Sequence, residues 1–390
     1  MKWETVNLGD VLHLIIGGGT PSKSKSEYWN GDIFWCSVKD MEDDKHYLSY
    51  TKDTITKKGL ENSSANLIKA GTVITSTRMG LGRAFINKVD MAINQDLKAL
   101  IPNERIDNRF LLWTIVSKRN ELNMLGRGST VKGITLDILK SIEIALPPLI
   151  VQRRIADILS AYDDLIENNQ KQIKLLEEAA MRLYKEWFVN LRFPGYENTK
   201  IVDGVPDGWS RKKLIDIADI TMGQSPKSEY YNDKQQGLPF HQGVTNYGYR
   251  FVIDDTYSTS YTRIAEAGSI LFSVRAPVGR MNITKNKIVI GRGLAAINHR
   301  EGLQSFLFYM LKNRFYKDDL IGNGAIYASI TKSALHSQEF LIPSDNLANK
   351  FNSVAKSIDQ QITNADRQII LLKQARDKLL PKLMNGDIEV

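Results

Sequence analysis

The sequence predicts an α+β protein built by duplication, with two mixed α/β domains, each followed by a long amphipathic helix, and the two helices packed together. Three observations carry this. The chain of 390 residues is too long for one ordinary core. Its two halves match at a nearly fixed offset, and each half ends in a long stretch of uninterrupted helical periodicity.

The repeat is read directly. "WETVNLGDVLHLIIGG" from Trp3 matches "WSRKKLIDIADITMG" from Trp209, an offset of 206 (209 minus 3). "AGTVITSTRMGLGR" from Ala70 matches "AGSILFSVRAPVGR" from Ala267, an offset of 197 (267 minus 70). From Phe110-Leu111, paired with Phe306-Leu307, the offset stays at 196 (306 minus 110) to the end. Gly126 and Gly128 fall on Gly322 and Gly324, Ile134-Thr135 on Ile330-Thr331, and Pro147 on Pro343. The implied division is a first domain over 1–148, a long helix over 149–189, a linker over 190–208, a second domain over 209–344 and a second helix over 345–390.

Within the domains, "GTVITSTR", "GRAFINK", "GSILFSVRAPVG" and "NKIVIGRG" read as short strands broken by Gly and Asn turns. "NRFLLWTIVSKRNELNML" and "LQSFLFYMLKNRFYKDDLI" read as helices. The Pro- and Gly-rich "NLRFPGYENTKIVDGVPDGW" is the linker.

After Pro148 no Gly or Pro interrupts "VQRRIADILSAYDDLIENNQKQIKLLEEAAMRLYKEWF". Ile155, Tyr162, Leu176 and Leu183 recur at sevens or multiples, with Ile158, Leu165 and Ala179 three further on. Leu159, Ile166, Ile173 and Trp187 widen the stripe. The second copy carries Phe351, Ile358, Ala365, Leu372 and Leu379, flanked by Val354, Ile362, Ile369 and Leu383. From these stripes, Ile155, Tyr162, Leu176 and Leu183 are expected to pack against Ile358, Ile362, Leu372 and Leu379. Such helices are roughly 57 Å long, longer than a domain of about 150 residues is wide, so each must find a partner. Asn169, aligned with Ala365, is a polar stripe residue of the kind that tunes register.

Composition narrows the function classes. Lys and Arg total 52 against 44 Asp and Glu, a net charge of +8, which favours an acidic partner such as nucleic acid or an anionic membrane. The single Cys36 excludes an internal disulfide framework and a multi-cysteine zinc site. "MKWETVNLGD" lacks a leader pattern, and no apolar run approaches the roughly 18 residues of a membrane span. The expected location is the cytoplasm.

Catalytic signatures fail in turn. "IGGGTPSKS" invites a phosphate-loop reading, but from Gly17 the second required glycine falls on Ser22, and no helix-like period follows. The aromatic Pro-Pro motif of base methylation is missing, as is a G-x-S-x-G elbow. Asp96-Leu97-Lys98 resembles half of a nuclease motif, but the second copy has Gly293-Leu294-Ala295 there. His13, His46, His241, His299 and His336 show no metal-binding spacing. No catalytic residue and no metal site is expected.

What both halves share is basic and lies in β-rich turns. Ser76-x-Arg78 with Gly82-Arg83 is echoed by Ser273-x-Arg275 with Gly279-Arg280. Arginine in such turns either holds phosphate, reads guanine bidentately, or is merely solvated. The loops "LGRGSTVKGIT" and "IGNGAIYASIT" share glycines and the Ile-Thr pair, whereas Arg127, Ser129 and Lys132 face Asn323, Ala325 and Ala328. Shared residues suggest scaffold, and differing ones suggest what each half reads; Tyr327 belongs to the second set. Further candidates are Lys39, Arg263 and Arg292, with Lys23, Lys25 and Lys227 in the paired loops "GGGTPSKSKSEYW" and "MGQSPKSEYY". The divergent segments 32–58 and 233–263 are either reading loops or drift.

"ALPPLIVQRRIADILSAYDDLIENN", followed by "LYKEWFVNLRFPGYE" and "GVPDGWS", resembles the core of type I restriction-modification specificity subunits, and the likeness spans the chain. The second copy, "FLIPSDNLANKFNSVAKSIDQQI", departs at the second proline and at the glutamine. The resemblance implies two target recognition domains held apart by an antiparallel helix pair, each reading one half of a split, asymmetric DNA target. It implies that the helices dock methyltransferase subunits, two of them, that bind S-adenosylmethionine. Restriction subunits using ATP and Mg would join through the complex, with none of these cofactors on this chain. The competing reading from the residues is a coiled-coil scaffold whose basic domains bind RNA or an acidic protein.

Overall fold

The computed structural model describes residues 3–128, 132–315 and 329–390. It falls into two compact units, Met1–Asn169 with Arg367–Val390 and Gln170–Asp366. The units cut across the division into domains and separate helices. Each unit takes one globular domain and half of each long helix, because the helices are buried against the domains as well as against each other.

In the first unit a five-stranded sheet runs in the order Leu12–Gly17, Leu97–Pro102, Val73–Ser76, Ala84–Asn87, Tyr47–Leu48. A four-stranded sheet, Asp53–Ile55, Trp29–Cys36, Met91–Ile93, Leu67–Ile68, lies beside it in the same domain. Val73–Ser76 is buried along its whole length, as expected of a continuous apolar strand covered on both faces. Asn108–Ser117 supplies Phe110, Leu111 and Trp113 to the core shared with Ile155, Leu159 and Leu383 of the long helices. Asp107 caps it by accepting from the Arg109 and Phe110 N–H groups.

The second unit repeats the plan. Ala218–Met222, Leu294–His299, Ile270–Ser273 and Met281–Ile283 keep the order of the first four strands of the larger sheet. A five-stranded sheet, Tyr231–Asn232, Tyr257–Ser258, Leu238–His241, Ile288–Ile290, Ile264–Ala265, accompanies it. The helix Gln304–Phe315 packs Phe306 and Tyr309 against Tyr184, Phe188 and Phe351.

A short antiparallel pair in each unit ties the start of the domain to the start of its helix: Glu4–Asn7 with Glu143–Leu146, and Ser210–Lys213 with Glu339–Ile342. Gln152, a residue of the "LPPLIVQ" stretch, is 1% exposed. Its amide accepts from Asp107 N–H at 2.8 Å and donates to the Arg105 and Pro147 carbonyls at 2.9 and 2.8 Å. A buried amide must be satisfied in this way. Ala348 stands at the equivalent place, and Asn352 instead accepts from Phe306 N–H at 3.1 Å.

The long helices span Leu149–Phe188 and Asp345–Met384. Their buried seam differs from the predicted frame. Ala156, Leu159, Asp163, Ile166, Ile173, Ala180 and Tyr184 are buried, alternating by three and four. Of the first helix's predicted packing residues, Ile155 is fully buried, but Tyr162, Leu176 and Leu183 are half-buried and Leu165 is 51% exposed. On the second helix Ile362 is buried, while Ile358, Leu372 and Leu379 are half-buried and the seam passes through Ala355, Ile369 and Arg376. The frame shifts because Asp163 and Arg376 occupy seam positions as a buried ion pair, which an apolar pattern skips. In each unit the helix halves run antiparallel: Asp163 meets Arg376 while Leu159 shares a core with Leu383, and Tyr184 meets Phe351 while Glu177 and Asp359 share one arginine. Asn169 is buried on its seam.

Candidate nucleic-acid interface

In the first domain the fold joins two stretches that are far apart in sequence. Arg78 bridges Gly133, and Gly133 bridges Arg127 with reciprocal N–H to carbonyl bonds of 2.9 Å. Lys132 accepts at its carbonyl from Met79 N–H at 3.3 Å. Arg78, Arg127 and Lys132 are all exposed and therefore share one edge. The Ser76 hydroxyl donates to the Arg78 carbonyl at 2.5 Å and stiffens the turn that presents it. In the second domain Arg275 bridges Ser329, the counterpart of Gly133, and the Ser273 hydroxyl donates to the Pro277 carbonyl at 2.6 Å. The shared Ile-Thr pair is scaffold: Ile134 and Ile330 are buried, and Thr135 and Thr331 cap the short helices Leu136–Lys140 and Lys332–His336.

A second loop adjoins this edge. Asp96 lies 3.7 Å from Arg78, and its carbonyl accepts from Thr77 N–H at 2.9 Å. Next to it Gln95 accepts from the Thr20 hydroxyl at 2.6 Å, so the opening loop with Lys23 and Lys25 continues the same edge. The second domain copies this with other residues. The Gly293 carbonyl accepts from Val274 N–H at 2.9 Å, Arg292 N–H donates to Ser225, and Ser225 donates to Gln242 at 2.6 Å. Gln95 and Gln242 went unread in the sequence, although the hydroxyl before each proline was the visible half of the contact.

The glycines of the opening loop serve packing. A Cβ on Gly18 would stand 2.0 Å from the Ile93 carbonyl oxygen, and one on Gly223 2.1 Å from that of Gly291. Only glycine lets the backbone pass there, and no helix N-terminus follows to receive a phosphate.

The remaining candidates differ in how they are held. Lys25 is exposed and donates to the Tyr28 hydroxyl at 3.0 Å, a bond that raises its pKa. Arg83 is drawn inward: it pairs with Asp43 at 2.5 Å, and Arg119 approaches the same carboxylate at 2.8 Å. Burial acts to raise Asp43, but Arg119 and Arg83 outweigh it and hold the carboxyl below its usual value. Lys39 and Arg263 are exposed, Lys227 lies 3.9 Å from Glu229, and Arg280 N–H donates to Ser273 at 2.9 Å. Ser129 and Tyr327 lie outside the described residues.

Among the described residues no group of three or more His, Cys, Asp or Glu could hold a metal ion. Cys36 is fully buried and its thiol is pushed far up by desolvation, so it is not a nucleophile. No described helix is long and apolar enough to cross a membrane.

The comparisons with known proteins agree with this geometry. The family model described as the type I restriction modification DNA specificity domain matches residues 1–178 and again 206–379. The MjaIX type I restriction enzyme specificity subunit of Methanocaldococcus jannaschii is 29% identical, over 100% of this chain and 94% of the relative. The EcoR124I/EcoR124II specificity subunit of Escherichia coli is 33% identical over 50% of this chain and 48% of its own length. A solved S subunit of a type I restriction-modification system from M. genitalium shares the fold at a TM-score of 0.56 and 15% identity, covering 98% of this chain and 96% of that one. With its two domains matched in turn, the chain belongs to the type I restriction-modification DNA specificity family.

Proposed function

We propose that this chain is the non-catalytic, cytoplasmic, sequence-reading subunit of a type I restriction-modification complex. The observation that carries it is the repeated edge: each domain presents an arginine, Arg78 or Arg275, on a serine-braced turn bridged to a second loop, while the residues around it differ. A common phosphate anchor with different neighbours suits two domains that read different sequences. Each domain then reads one block of a split, asymmetric target. Continuous helices of roughly 60 Å act as the spacer between the domains, on a duplex whose turn is about 34 Å, leaving unread base pairs between the blocks.

In this reading the helices dock two methyltransferase subunits, which carry S-adenosylmethionine. Restriction subunits bring ATP and Mg, and this chain binds none of these. Arg78→Ala and Arg275→Ala, assayed with methyltransferase subunits on the target duplex, test the assignment. A uniform loss with a salt slope smaller by about 0.9 marks a phosphate contact. A loss of about 1–3 kcal/mol confined to one base pair marks direct readout. Unchanged binding in both variants would refute the arginine assignment.

A further inference from the structure

The two domains are fastened to the helix pair by buried charge networks of opposite design. In the first unit His46 Nδ1 lies 2.7 Å from Asp163, and Arg376 donates to the same carboxylate at 2.6 Å. Lys373 pairs with Asp44 beside them. In the second unit Arg250, 2% exposed, donates to Asp359 at 2.6 Å and to Glu177 at 3.2 Å. Its guanidinium carbon sits 3.4 Å from the centre of the Phe308 ring, and Tyr309 and Ser305 also donate to Asp359.

These are the same two positions filled differently. The His46 carbonyl accepts from Ile86 N–H at 2.9 Å, and the Arg250 carbonyl accepts from Ile283 N–H, the repeat mate of Ile86, also at 2.9 Å. The next residue in each case, Tyr47 or Phe251, runs parallel to that same strand. On the helices Asp163 and Asp359 are 196 apart, the repeat offset. That offset also places Arg376 on Ala180 and Lys373 on Glu177. The first socket thus has one acid and two cations on its helices and takes a histidine and an aspartate from the domain. The second has two acids and takes an arginine.

We infer that each recognition domain is keyed to its position by this buried charge pattern. The domain supplies the key at residue 46 or 250, and the helix pair supplies the lock at 163, 373 and 376 or at 359, 177 and 180. A second-domain key in the first lock would bury Arg against Arg376 and Lys373 with one carboxylate to share. An unpaired buried charge is far more costly than a lost contact. The segments 32–58 and 233–263, which diverge between the copies, therefore diverge in part to match the helices they face. Moving residues 209–344 into the first position requires Lys373→Glu and Arg376→Ala to accompany them.

A block cycle on the full-length chain tests this without DNA, so its outcome is independent of the proposed function. The domain block is Asp44→Gly with His46→Arg, giving that segment the residues of 248 and 250; the helix block is Lys373→Glu with Arg376→Ala. Either block alone lowers the melting temperature by roughly 10 °C, and the two together restore most of it. Additive losses, a combined variant that does not fold, or single blocks that melt like the parent would each overturn the inference.

Discussion

Asp254 shows how single residues set the domains' response to acid. It accepts from Asn286 at 2.6 Å and lies 2.8 Å from His241 Nε2, 16% exposed. Burial acts to raise its pKa, but the His241 and Asn286 hydrogen bonds and the neighbouring cationic charge hold it below the ordinary value. A carboxyl depressed in the folded state stabilises above its unfolded pKa of about 3.9, and the contribution is lost as pH falls through the folded value. The melting-temperature gap between the parent and Asp254→Asn is therefore expected to be constant from pH 7 to 5 and to shrink toward pH 3. A gap independent of pH would contradict the assignment. At this scale the sequence was partly legible. Arg78 and Arg275 stood out as a repeated pair, but the inward turn of Arg83 to Asp43 depends on a carboxylate 40 positions away.

The helices carry the clearest lesson at the scale of elements. Their extent was legible because two runs without Gly or Pro keep a helical period, and Pro148 and Pro343 mark their starts. Their packing frame was not, because hydrophobicity alone cannot find a seam that includes Asp163, Asn169 and Arg376. Two neighbouring substitutions separate the frames. Ile166→Ala, at a 5% exposed seam position, is expected to cost about 2–4 kcal/mol. Leu165→Ala, 51% exposed, should stay within about 0.5 kcal/mol. Urea unfolding with the reverse ranking would restore the apolar frame. The short strands were legible as runs between turns, but their order within the sheets was not, since pairing depends on distant partners.

On the scale of the whole molecule, the duplication was the most informative signal. It separated scaffold, such as Thr135 and Thr331, from the loop residues that differ, and it explained two glycine loops that no single nucleotide site would need. The structure adds that each compact unit is completed by both long helices, so a recognition domain is supported by sequence from both halves of the chain. Independent reading by two such units is the central claim, and exchanging one domain tests it most directly. Residues 1–145 would be replaced by the first domain of another family member while the first-unit helix halves are kept, and methylated adenines would be mapped in cells carrying the chimera and its methyltransferase. One block of the methylated sequence changes and the other, with the spacer, is retained if each domain reads alone; a change in both blocks would contradict it.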